Sequence, residues 1–444
     1  MREAVKRGPA VKPGAPVSHE EQEKGHVKRL IARMFKPEKD REKEMEAAEK
    51  QQKKEMGIIE SILEKLSGEE RLYRRRLELQ ERKRKELERE WGEDVARIVI
   101  HYHCAGAANG YEGSPDGTRY LGLKKVEGKP SLLTLLIATG VDAIVLTDHD
   151  AFKPSQMRKL KEVVDEINST PGMPTVIVGT ELTSAAGHFI ILERGKPLLN
   201  PPEWKNKAQA MAEWAFQNGY DIMIPHPNPS RFDPKRIAAY VFGIDIGIEK
   251  EVVESILRIA DMYDKFVYIA YANGTTTTDY KANLLGSRDH WWQFWRPKRV
   301  DRATAELYAR RAIWVAEGDV HIRAEAPSNC IYVRRSQVID GSGRISAKKL
   351  SQLAEKQKRQ EYIAFKEGKT IPEKDRLIVS YSADEDFNIL DRAAMVPYFV
   401  REYLRLVAVW LVKVLTGKAG QYAEKPKRPI KLEYRRAQVY EEED

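Results

Sequence analysis

Between residues 95 and 335 the chain is written as short apolar runs separated by longer amphipathic stretches. The runs fall at 97–102 (IVIHYH), 143–147 (AIVLT), 175–179 (TVIVG), 188–192 (HFIIL), 222–225 (IMIP), 266–271 (FVYIAY) and 312–316 (AIWVA). Runs this short, rich in Val, Ile and aromatics, predict buried strands. Between them, PSQMRKLKEVVDEINS (154–169) and KEVVESILRIADMYD (250–264) space their apolar residues for one face of a helix. Strand and helix in alternation predict an α/β unit, layered or closed into a barrel, with mainly parallel strands.

The flanks follow other patterns. Residues 1–18 are rich in Pro, Gly and Ala and read as a disordered leader. Over 19–94 about half the residues are charged, with apolar positions such as Ile59, Ile62 and Leu66 at helical spacing. Ser67 and Glu70 stand as a capping box for a second helix. A long charged helical hairpin, or a coiled coil serving self-association or a protein partner, is expected there. Residues 336–444 predict a mainly helical α+β extension: the turn-rich DGSGR, a polar helix, a short strand at 377–382 (LIVSYS) and an apolar helix at 395–415. The longest charge-free stretch of that last helix after Arg405 is seven residues. A membrane span needs about 20, so a buried or interface helix is predicted and no membrane partner.

Composition narrows the picture further. The two cysteines, Cys104 and Cys330, exclude a disulfide framework and suit a reducing, cytoplasmic setting. The N-terminal residues have no apolar core of the kind a secretory signal requires. The net charge of +9 is spread thinly, 25 basic against 22 acidic residues over 1–94, 30 against 28 over 95–335 and 21 against 17 over 336–444. Mean charge therefore says little about a polyanionic partner.

The chemistry collects at the ends of the predicted strands. The first run closes on His101 and His103, which alternation in an extended chain turns to one side. The second is followed by Thr147-Asp148-His149, the third by Glu181 with His188 opening the fourth, the fifth by His226-Pro227, and the seventh by Asp319-Val320-His321. Six of the nine histidines lie in these motifs. In parallel α/β folds the carboxyl ends of the strands share one face, where sites form. Imidazoles mixed with carboxylates, without paired thiols, suit Zn²⁺, Mn²⁺ or Fe²⁺. The ligand set exceeds the needs of one ion and predicts two or three.

The order of these motifs, H-x-H, T-D-H, a strand-end Glu followed by a His, H-P and D-x-H, resembles the PHP (polymerase and histidinol phosphatase) family over about residues 97–335. YIAYANG, with Asn273, is similar to that family's sixth strand. The resemblance implies a distorted (β/α)7 barrel holding up to three ions. Carried over by position, His101, His103, Glu181 and Asp319 would hold the first ion. Glu181 would bridge to a second held by His188 and His226, and His149 with His321 would hold a third. Where the family usually supplies another His or Asp after H-x-H, this chain offers only Asn109 or Glu112. The activity implied is phosphoester hydrolysis, with a hydroxide bridging the ions as nucleophile; His101, His103, Glu181 and Asp319 would be the catalytic ligands. A covalent role for Cys104 is the weaker alternative, since no spare His base accompanies it.

Arg231 and Arg323, just beyond the fourth and fifth motifs, are placed to reach substrate phosphate, or equally to form surface ion pairs. The run HWWQFWRPKR (290–299) offers His290, Trp291 and Trp292 beside cations, a composition that stacks bases and holds phosphates. As a hydrophobic plug or an interdomain dock it is equally well explained. These features favour a nucleotide or nucleic-acid end as substrate. The alternatives are a small-metabolite phosphatase of the histidinol-phosphatase type, and a non-hydrolytic metal-binding scaffold whose helices recruit a partner protein.

Overall fold

The computed structural model describes residues 69–103, 140–147, 154–170, 172–184, 187–194, 208–227, 248–273, 279–286, 299–318, 328–397 and 400, all within one unit that begins at Ser67. The leader and the first helix expected over 19–94 lie outside them, as does most of the apolar helix at 395–415. Each predicted run is a strand: β1 (Val95–Tyr102), β2 (Ala143–Leu146), β3 (Thr175–Ser184), β4 (Gly187–Leu192), β5 (Asp221–Ile224), β6 (Val267–Asn273) and β7 (Ala312–Glu317). An eighth, β8 (Asn329–Arg334), was not among the predicted runs, and β9 (Ile378–Ser382) is the short strand read in the C-terminal extension.

One sheet carries all nine in the order β7-β6-β5-β4-β3-β2-β1-β8-β9. β1–β2, β2–β3, β5–β6 and β6–β7 pair in parallel, while β4 runs antiparallel to both neighbours. β8 pairs antiparallel with β1 and with β9. The sheet curls until its edges nearly meet: Gly318 N–H, just past β7, donates to Ile100 O of β1 at 2.8 Å, and Ala316 N–H donates to Ser380 Oγ of β9 at 2.6 Å. The result is α/β and nearly a closed barrel.

Alternation along the strands sorts the side chains. Ile98, Ile100, Val145, Ile177, Ile190, Met223, Tyr268 and Val315 share the interior core, together with Leu350 and Ala354 of the helix Ala347–Lys366. Their neighbours face outward. Leu182, Phe189, Ile191, Ile222, Val267 and Ile269 pack against helices Ala208–Gln217 and Lys250–Met262. Each fully buried aliphatic side chain contributes about 1.5–3 kcal/mol. Gly179 belongs to the tightly packed wall, where a Cβ would come within 3.1 Å of Ile191 O, Leu192 Cδ2 and Thr147 Cγ2.

Helix α1 (Glu69–Trp91) covers the outer face of β1, β2 and β8. Its apolar stripe packs on the sheet: Leu72, Leu79 and Leu87 are buried with Val95, Val99, Tyr332 and Tyr381. The charged face still reaches in at one point. Arg76 is fully buried, donating through Nε and Nη2 to Asp384 at 2.8 and 2.6 Å, with its guanidinium 5.8 Å from the Phe387 ring centroid. Among the described residues no helix is long and apolar enough to cross a membrane.

Cutting a buried ion pair on one side strands the other charge and costs about 3–5 kcal/mol. Arg76→Ala should therefore lower the unfolding free energy by about that amount, read as a lower urea midpoint at unchanged slope. A change below about 1 kcal/mol would show that α1 is held by its leucines alone.

Candidate metal centre

The two histidines of the first motif reach the barrel interior through a break in the alternation. Val99 pairs with Ile144, but the next pairing is Tyr102 with Leu146, so β1 takes three steps where β2 takes two. The extra residue is His101, whose φ of 70° lies in the left-handed region. Without this bulge His101 and His103 would follow Val99 to the outer face, and Tyr102 would point inward. With it, Tyr102 joins the outer core and both imidazoles turn in. His226, two residues past β5, is also left-handed, with φ 46°. Such conformations cost a non-glycine residue about 1–3 kcal/mol and persist only where the surroundings enforce them.

Glu181 on β3 and His188 on β4 arrive by plain alternation. Glu181 continues the inward series of Ile177 and Gly179, and His188 precedes Ile190 and Leu192 on the same face. Because β4 runs antiparallel, its first residues lie beside the carboxyl end of β3, with Thr183 paired to His188.

Among the described residues three groups of donor atoms stand close enough to hold an ion, and two of them share Glu181. In the first, His101 Nε2 lies 3.0 Å from Glu181 Oε2 and 3.0 Å from His103 Nε2, and His103 Nε2 lies 3.4 Å from Glu181 Oε2. Donors about 2.1 Å from a common ion stand about 3.0 Å apart at right angles and about 3.4 Å apart in a tetrahedron, so these spacings suit one cation. In the second set, Glu181 Oε1 is 2.9 Å from His188 Nδ1 and 3.8 Å from His226 Nε2. His101, His103, Glu181, His188 and His226 are all buried.

Behind both sets stands Glu317, the last residue of β7, fully buried. Its Oε2 accepts from His101 Nδ1 at 2.8 Å and its Oε1 from His226 Nδ1 at 2.9 Å. Its own carbonyl accepts from Asn329 Nδ2 at 2.6 Å. Burial by itself would push this carboxyl up. The imidazoles of His226 and His101 outweigh burial and hold it well below the usual carboxylate range. With Nδ1 of both rings committed to Glu317, each ring turns its Nε2 toward Glu181. A lone pair facing a carboxylate at 3.0 Å is repulsive unless a proton or a cation lies between. A proton can satisfy one such pair, whereas a divalent ion satisfies the whole set. The residues present therefore fit divalent metal ions.

Glu317 is the functional residue that strand-end motifs missed. The signal was available: it follows Ile313 and Val315 at intervals of two, on the inward face of a strand otherwise apolar on that side. Of the other predicted ligands, His149, Asp319 and His321 lie outside the described residues. So do Asn109, Glu112, Cys104, Arg231, Arg323, His290, Trp291 and Trp292. Thr147, the opening residue of the T-D-H motif, is described and buried at the end of β2. Cys330 is a buried thiol beside Gln80 and contributes nothing to the cluster.

Glu317→Gln replaces one of two identical acceptors with an NH2 group that opposes an imidazole N–H. Losing such an orienting partner typically weakens metal binding 10- to 100-fold, and equilibrium dialysis against Zn²⁺ or Mn²⁺ should show a loss of that size. Unchanged affinity would remove Glu317 from ligand orientation. No protein-family model matches the chain, and no curated protein matches it in sequence.

Proposed function

We propose that this chain is a metal-dependent phosphoester hydrolase acting on a nucleotide or a nucleic-acid end. The observation that carries the reading is the pair of buried donor sets joined through Glu181 at the carboxyl ends of the strands. His101, His103 and Glu181 would hold one divalent ion (Mn, Zn or Fe), and Glu181, His188 and His226 a second. Bound there, such ions neutralise phosphate oxygens and favour ionisation of water near neutral pH.

The protein's own part is positioning. Glu317 keeps two imidazoles in the tautomer and orientation that ligation needs. The aliphatic interior formed by Ile98, Ile100, Val145 and Ile190 closes the site from below and keeps its local dielectric low. The resemblance to the PHP family, made on motif order alone, agrees with this chemistry. The aromatic and basic run at 290–299 supports the choice of substrate class through its composition.

Elemental analysis for Mn, Fe and Zn should return about two ions per chain, one for each donor set, or three if His149 and His321 hold another. Hydrolysis of an aryl phosphate monoester or diester should be abolished by a chelator and fall roughly 10²–10³-fold in His103→Ala, the scale of losing one transition-state contact. Fewer than one ion after metal is supplied, with no chelator-sensitive hydrolysis, would overturn the reading in favour of a scaffold. For the substrate class, the double change Trp291→Ala and Trp292→Ala should impair oligonucleotide hydrolysis at least tenfold more than aryl phosphate hydrolysis, the loss of about 1–3 kcal/mol of stacking per base. Equal losses on both would take the tryptophans out of substrate binding.

A further inference from the structure

A cavity of about 720 Å³ is lined by residues from the amino-terminal parts of β3, β5, β6 and β7, among others, and by none of the His–Glu cluster. Ile100, Val145, Ile177 and Val315 of the barrel interior form its floor. Ile177 and Glu181 mark the two ends on β3, about 13 Å apart in an extended strand. The helix Ala347–Lys366 crosses the opening and turns Leu350, Ser351, Ala354 and Lys358 inward, all buried. That face begins apolar and, about 12 Å further along the helix axis, ends in an ammonium group.

Lys358 is only 4% exposed, yet among the described residues the carboxylate it faces is Glu361 Oε2 at 3.7 Å, too long for a hydrogen bond. Burial pushes this lysine down to about 8, against the pull of Glu361 and helped by the nearby charge of Lys281. Lys281 lines the same cavity, with its ammonium 5.4 Å from the centroid of the Trp314 ring, another wall residue. Glu193 and Asp221 also line the cavity, and burial pushes both carboxyls up, Glu193 to about 7 and Asp221 to about 6. Asp221 is further engaged by Arg194 at 3.6 Å.

An apolar solute would fill the floor and leave the Lys358 ammonium with only the loose ion pair to Glu361. An inorganic anion would pair the ammonium and leave the floor wet. We propose that this cavity binds an amphiphilic organic anion, its carboxylate or phosphate head at Lys358 and Lys281 and its apolar body along the Leu350–Ala354 face and the barrel floor. A chain of about eight to ten carbons covers the roughly 12 Å between the two parts of the helix face. The site is independent of the metal centre in position and in chemistry.

Titration calorimetry of the full chain with sodium decanoate and with decyl phosphate, in the presence and absence of EDTA, tests this. Saturable binding of one molecule per chain by at least one of the two is expected, unaffected by EDTA, and the stronger of the two identifies the head group. Lys358→Met, which replaces a buried charge with an apolar side chain of similar length, should weaken binding at least tenfold. Ala354→Phe, which fills the cavity, should abolish it, and circular dichroism checks that both variants fold. No saturable binding of either anion to the native chain would overturn the proposal, as would equal affinity in Lys358→Met. Decanol binding as tightly as decanoate would overturn the assignment of an anion.

Discussion

The carboxylate of Glu317 is where the architecture and the site meet. From the end of β7 it accepts from His101 on β1 and from His226 beyond β5, while its carbonyl is held by Asn329 of β8. One buried residue therefore ties together β1, β7, β8 and the segment just past β5. The neighbouring Gly318 N–H bond to Ile100 O completes the near closure of the barrel at the same level. Were the barrel open at this seam, the imidazoles would lose both their anchor and their mutual spacing. Closure and ligand geometry thus depend on the same few hydrogen bonds.

Holding five histidine and glutamate side chains, with Glu317 beneath them, in an apolar barrel is costly. Buried polar groups are tolerated when each finds a partner, and buried charges when they are paired or bind metal. Two left-handed histidines add backbone strain of about 1–3 kcal/mol each. The aliphatic interior and the helix-covered outer faces supply the stability that offsets these terms. Strain and polar burial are concentrated at one end of the strands, as expected where function and stability pull apart.

The two ends of the barrel differ accordingly. At the carboxyl ends the interior narrows to imidazole and carboxylate donors with short, fixed spacings. At the amino ends the helix Ala347–Lys366 covers a roomier space, where an apolar floor adjoins the Lys358 ammonium and polar wall residues such as Glu193, Asp221 and Lys281. The sheet does not stop at the seventh strand, since β8 and β9 continue it and bring this helix across the opening. Residues well beyond the motif-bearing stretch are therefore part of the same structural unit.

Much of this is written locally in the chain. The seven runs of the middle region specify strands because unbroken apolar stretches of Val, Ile and aromatic residues, too short for helices, are hidden best as strands buried on both faces. The H-x-H, Glu, His and H-P positions announce a metal-suited site because imidazoles have no other business at the ends of apolar strands. Three things were decided only by tertiary structure. Strict alternation along β1 would have sent His101 and His103 outward; the bulge that turns them in exists because pairing with β2 and the anchor at Glu317 together outweigh the cost of a left-handed histidine. The place of β8 is the second: its run Cys330-Ile-Tyr-Val333 is strand-like in itself, but its antiparallel seat between β1 and β9 is set by its neighbours. Glu317, finally, stands at a legible inward position, yet its role depends on His101 and His226, which lie 216 and 91 residues away in sequence. Contacts of that range are set by how the barrel closes, and no local pattern encodes them.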